Sequence, residues 1–181
     1  MRSRNVVGCC VLSLCVWATT PHAAEAQTAA SPDGEAMALV LARDAPEMLR
    51  ETLVEMYETS PTFRRQCRRL AAVGPLPIRL HVDARLPSAS ARARTSFDSR
   101  GGRVVAADVL LPPSRDVSEL IAHEIEHVLE QLDGIDLGRH TDTDAAWRSA
   151  GGAFETARAI TIGRRVAKEV RTGTSLVLVR R

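Results

Sequence analysis

The chain has 181 residues, with 24 Lys and Arg against 22 Asp and Glu and a formal net charge of +2. A balance so near neutral gives no broad attraction to a phosphate backbone, which argues against a nucleic-acid binder. An apolar content of 45% excludes a disordered chain, and with only 3% aromatics the core must be built from Leu, Val, Ile and Ala.

In chain order, Arg2 and Arg4 precede an apolar run over residues 6–18. That run is short of the roughly 20 residues a membrane span needs but fits the core of a signal peptide. Ala24-Glu25-Ala26 matches the small-x-small pattern of a cleavage site. The expectation is an export signal over residues 1–26, then a single domain over 27–181 that is periplasmic or secreted, without stable membrane insertion. Cys9 follows a segment resembling a lipoprotein box, but too few apolar residues precede it for lipid attachment. Cys9, Cys10 and Cys15 fall within the signal, so Cys67 alone remains and no internal disulfide is expected. Its helical spacing with Phe63 and Leu70 predicts a buried core thiol.

Residues 27–36 are small and polar and read as a flexible leader. Asp44 and Pro46 open a helix whose stripe is Met48, Leu49, Leu53, Met56 and Tyr57. Ser60-Pro61 is a second start, an N-cap followed by proline at the first helical position, for a helix to about residue 72. Arg64, Arg65, Arg68 and Arg69 make the solvated face of that helix. Residues 78–86 alternate apolar and polar, as a half-buried strand does. Residues 91–97 and 103–111 flank Asp98-Ser99-Arg100-Gly101-Gly102 as a β-hairpin. A helix over 116–133 is closed by Gly134. Residues 135–152 read as a loop, residues 153–171 as a last long helix, and 175–179 as a possible extra strand. The fold class is α+β: N-terminal helices, a short, mostly antiparallel sheet, then two further helices.

The helix over 116–133 contains His123-Glu124-Ile125-Glu126-His127, an HExxH motif. Residues four apart are neighbours on one helix face, so both imidazoles can reach one metal ion, while Glu124, about 100° round, can reach a water on that metal. Val117, Ile121, Ile125, Val128 and Leu132 lie together on the side away from the histidines, ready for burial.

A catalytic zinc site takes three protein ligands and leaves one position open. Asp133 is six residues after His127, but the helical pattern runs through Glu130 to Leu132, so Asp133 points away. His140, Asp142 and Asp144 lie in the polar loop, and of these His140 could swing in. Glu155 has a positional argument: with Ala159, Ile162, Val166 and Val170 it forms one stripe of the last helix, and a carboxylate in an apolar stripe needs a cationic partner. Glu155 is therefore the expected third ligand, the alternatives being a cap on its own helix or a pair with Arg158.

His123-Glu124-x-x-His127 with a downstream glutamate resembles the zincin metallopeptidases, in particular the gluzincin branch, over residues 103–171. That resemblance implies a small zincin-like domain and zinc-dependent hydrolysis of a peptide or protein substrate. His123, His127 and Glu155 would hold Zn2+, and Glu124 would act as general base and proton shuttle. The chain departs from the pattern at Glu126, where an uncharged residue is usual, and at Ala159, where many members carry an acid that orients a histidine. Glu126 and Glu130 are the candidates for that orienting role. The strand over 103–111 is expected to pair with an extended substrate, and His140, Tyr57 and Arg158 are candidate oxyanion donors. The rival expectation is a non-catalytic secreted domain stapled by a structural zinc, closed by His140; Glu124 favours the enzyme, because a staple has no use for the acid.

Overall fold

The computed structural model describes residues 32–86, 93–114, 117–135, 146–148 and 154–179. The expected signal over 1–26 and the loop positions His140, Asp142 and Asp144 lie outside the described residues. The fold is α+β, with helices α1 (Pro32–Asp44), α2 (Glu47–Thr59), α3 (Pro61–Val73), α4 (Val117–Leu132) and α5 (Ala157–Val179). The strands are β1 (Ile78–Val82), β2 (Arg94–Arg100), β3 (Arg103–Leu111), β4 (Ala146–Arg148) and β5 (Phe154–Thr156). No described helix is long and apolar enough to cross a membrane.

Helix α1 replaces part of the expected leader: residues 32–36 are its opening turns. Its inward stripe is Gly34, Ala38, Leu41, Ala42 and then Ala45, small residues whose periodicity is faint in the sequence but which let α1 lie close on α3. Helix α2 buries Leu49, Leu53 and Met56 as expected, but Met48 is 65% exposed and lies off the stripe. Helix α3 starts as its sequence indicates. Ser60 Oγ accepts from Phe63 N–H at 3.0 Å, and Pro61 occupies the first turn. Glu169 of α5 joins this cap, accepting from Ser60 Oγ at 2.5 Å, Thr62 N–H at 3.0 Å and Thr62 Oγ1 at 2.8 Å. Cys67 is fully buried between Phe63 and Leu70 in sequence, and burial pushes its thiol pKa up to about 12.

The three-stranded sheet has the order β1-β3-β2. Gly101 and Gly102 both take positive φ, 58° and 77°, so a two-residue turn closes the hairpin. Asp98, Ser99 and Arg100 therefore belong to β2, with a bulge between Asp98 and Ser99, rather than to the turn. Strand β3 pairs antiparallel with β2 and parallel with β1, which ends at Val82 and not at residue 86. With both edges occupied, β3 cannot accept a further strand; among the described residues the open edges belong to β1 and β2. Ala107, Val109 and Leu111 face the core, against which Ile121, Ile125 and Leu129 of α4 also pack. Helix α4 ends in a Schellman motif: Gly134 has φ 83°, its N–H reaches Gln131 O at 3.2 Å, and Ile135 N–H reaches Glu130 O at 3.0 Å.

The last region differs most from expectation. Residues 154–156 are a strand paired antiparallel with β4, Trp147 opposite Glu155, and the helix begins only at Ala157. Residues 175–179 continue α5 instead of adding a strand. The buried stripe of Ala159, Val166 and Val170, with Ile162 half-buried, is as expected; Glu155 precedes it on a strand.

On the outer face of the sheet, hydrogen bonds from Arg79 and then His81 hold the Asp108 carboxyl down to about 2. A folded pKa below the unfolded value of about 3.9 contributes stability at neutral pH that is lost as pH falls through the interval from about 4 to about 2. Solvent screening keeps that contribution under about 1 kcal/mol. Urea unfolding between pH 5 and pH 2 is expected to show Asp108→Asn with a flatter acid limb than the parent; parallel limbs would refute it. Glu169→Ala, which strips partners from buried Ser60 and Thr62, is expected to cost about 1–3 kcal/mol in the same assay at pH 7.

Candidate metal centre

Ten consecutive residues of α4, Ile121–Glu130, lie against β2, β3, α3 and α5, so this helix is buried nearly all round despite three glutamates. Closeness to α5 comes from Gly163. A Cβ added there would lie 2.9 Å from Glu119 O and 3.1 Å from His123 Cβ, so α5 backs directly onto the first histidine.

His123 and His127 stand one turn apart with their rings edge to face, centroids 4.7 Å apart, and their Nε2 atoms 3.1 Å apart. Strand β5 brings Glu155 Oε2 to 3.4 Å from His123 Nε2. One ligand atom from each of His123, His127 and Glu155 lies within 4.8 Å of the others, so the trio could hold a metal ion. Donor atoms around a tetrahedral zinc at about 2.0–2.1 Å stand roughly 3.3–3.4 Å apart; the His123–His127 and His123–Glu155 separations, 3.1 Å and 3.4 Å, are close to that, while the His127–Glu155 separation lies within 4.8 Å. Two imidazole nitrogens and one carboxylate oxygen are also a donor set that suits zinc.

Glu124 stands beside the trio without being part of it. Its Oε1 is 4.0 Å from His123 Nε2, and its Oε2 accepts from Thr95 Oγ1 of β2 at 2.6 Å. Burial raises its pKa, with the Glu155 charge adding to the rise, against the opposing pull of the Thr95 hydrogen bond and His127. His127 is also raised. Burial opposes its charged form, but the hydrogen bond to Glu130 and the charges of Glu124, Glu130 and Glu155 outweigh that. The pocket thus favours positive charge between its carboxylates.

Behind His127, Nδ1 donates to Glu130 Oε2 at 2.8 Å. Because the carboxylate accepts there, Nδ1 carries the hydrogen and a neutral His127 keeps its Nε2 lone pair facing His123. Glu130 Oε1 accepts from Thr156 Oγ1 at 2.7 Å.

Glu126 points to the other side of α4. It is 2% exposed and accepts from Arg158 Nε at 2.6 Å and Gln66 Nε2 at 2.7 Å, with Arg69 at 3.4 Å. Gln66 Nε2 also reaches Ala122 O at 2.8 Å, and Arg69 and Arg158 both engage Asp133. The charge that departs from the usual HExxH pattern is therefore a paired, buried junction of α3, α4 and α5.

The structure brings together His123, Glu124, His127 and Glu155, and directs Asp133 away from them, as the sequence indicated. It corrects the element that carries Glu155, which is β5 and not the last helix. It also removes two oxyanion candidates: Arg158 is held by Glu126 and Asp133, while Tyr57 lines a separate cavity of about 490 Å³ with Glu35, Leu39, Val54 and Arg64. Sequence reading missed Thr95 and Thr156. Thr156 carries an N-cap signature that becomes visible only once the helix start is moved to Ala157; Thr95 has no local signal at all. No protein-family model, curated protein or solved structure matches this chain.

Gly163→Ala is expected to destabilise the protein, because overpacking costs about 1–3 kcal/mol and a helical Gly-to-Ala gain returns only about 1 kcal/mol. Thermal unfolding would show it, and a Tm equal to or above the parent's would mean that α5 does not lie this close to α4.

Proposed function

We propose that this chain is an exported zinc-dependent metallopeptidase, with His123, His127 and Glu155 as ligands and Glu124 as general base. The observation that carries this reading is the convergence of those three donor groups beside a buried glutamate that they do not include. The resemblance to the zincin HExxH pattern with a downstream glutamate supports it, and the donor set of two imidazoles and a carboxylate supports the choice of metal.

Zinc bound by these residues would lower the pKa of a water toward neutrality and polarise a peptide carbonyl. The chain's own residues supply the rest. Glu124 accepts the proton of the attacking water and passes it to the leaving amine. Thr95 holds one Glu124 oxygen and leaves Oε1 toward the ligand cluster. With only Glu155 and the two imidazoles as protein ligands, a bound zinc would keep one position for the reacting groups. Since β3 is paired on both sides, an extended substrate would run beside β2, the strand that touches Glu124 and that has no second neighbour among the described residues.

Elemental mass spectrometry of the purified protein is expected to find about one zinc per chain, as for a single catalytic site. Glu155→Ala should lose most of it. Glu124→Gln should keep the metal but lose hydrolysis of a mixed peptide library by at least about 100-fold, the scale of a general-base contribution. Hydrolysis that survives in Glu124→Gln would sink the mechanism, and equal zinc in Glu155→Ala would move the protein toward the structural-zinc reading.

A further inference from the structure

We propose that Thr156 is a positioning residue for the metal centre, acting through Glu130 on His127; this rests on His127 and Glu155 being ligands, as argued above. Its hydroxyl has two partners at once. The oxygen accepts from Ala159 N–H at 2.9 Å, which caps the third residue of α5, so its hydrogen is free to donate to Glu130 Oε1 at 2.7 Å. Glu130 is 1% exposed and its other oxygen takes the His127 Nδ1 hydrogen at 2.8 Å. Buried groups with all three bonds made have little rotational freedom, so the chain from helix cap to imidazole sets both the ring angle and the tautomer of His127.

The neighbouring residue completes the device. Glu155 reaches His123 directly, while Thr156 reaches His127 through Glu130. Two consecutive residues thus engage the two histidines, one each, at the point where β5 becomes α5. In this chain the residue four after Glu155 is Ala159, which carries no acid; the orienting carboxylate comes instead from α4 itself and is held by a threonine.

The test uses the full chain and two readouts that do not depend on catalysis. The first is zinc affinity by competition with a chromophoric chelator; the second is the His127 Nδ1–H proton resonance, followed in metal-free and zinc-loaded protein. Thr156→Val is expected to weaken zinc binding by about 10–100-fold, the usual scale for a lost partner behind a ligand histidine, and to broaden or abolish the Nδ1–H resonance. Thr156→Ser, which keeps both bonds, should restore both. In a Glu130→Ala background, Thr156→Val should change the affinity by less than about twofold, because the path to His127 is already cut. Loss of the same factor in both backgrounds would show a helix cap and nothing more, and would overturn the proposal. A parent that binds no zinc would defeat the metallopeptidase reading. In that case the Nδ1–H resonance of the metal-free protein still decides: its survival in Thr156→Val removes Thr156 from any role at His127.

Discussion

A buried carboxylate on a helix costs several kcal/mol unless it is paired, and Glu126 is the place where this chain meets that cost. Arg158 from α5 and Gln66 from α3 close on it, Arg69 stands beyond, and Asp133 at the end of α4 ties the two arginines together. Removing Arg158 would leave the buried Glu126 carboxylate with neutral Gln66 and only the longer contact to Arg69. Three helices are thereby held in one mutual register, with α5 drawn against α4 where Gly163 leaves no side chain between them. The histidines sit on the opposite flank of the same few turns. Their distance to β5 is set by this junction as much as by their own surroundings.

The acids of α4 divide the neighbours among themselves. Glu124 belongs to β2 through Thr95, Glu126 to α3 and α5, and Glu130 to the start of α5 through Thr156. A helix with three buried glutamates would be unstable alone; here each carboxylate finds a hydrogen-bond donor on another element of the fold. Packing and chemistry are therefore not separable on this helix. The bonds that let it be buried are also the ones that aim its side chains.

The parts legible in the sequence are those written in one short window. HExxH, its helix, the apolar face of Ile121, Ile125 and Val128, the Ser60-Pro61 start and the Gly134 stop all depend on residues within a few positions of one another. Helix α1 escaped notice because Ala and Gly make a weak stripe even when they face the core. Glu155 reads as helical in the sequence because a three-residue strand is shorter than the period needed to recognise it, although the stripe that begins at Ala159 has the expected phase. The parallel pairing of β1 with β3 has no local signal, since alternation looks the same in either direction. Thr95 and Thr156 are visible only through partners 29 and 26 residues away.

Cys67 carries a different consequence. Folded, its sulfur is out of reach of solvent and its thiolate is suppressed, so disulfide exchange with another molecule is blocked on both counts. Unfolded, the same thiol regains ordinary acidity and full access. A chain that opens therefore offers at residue 67 a reactive thiol that the folded form withholds. Labelling of residue 67 by a thiol reagent thus separates chains that have opened from those that have stayed closed.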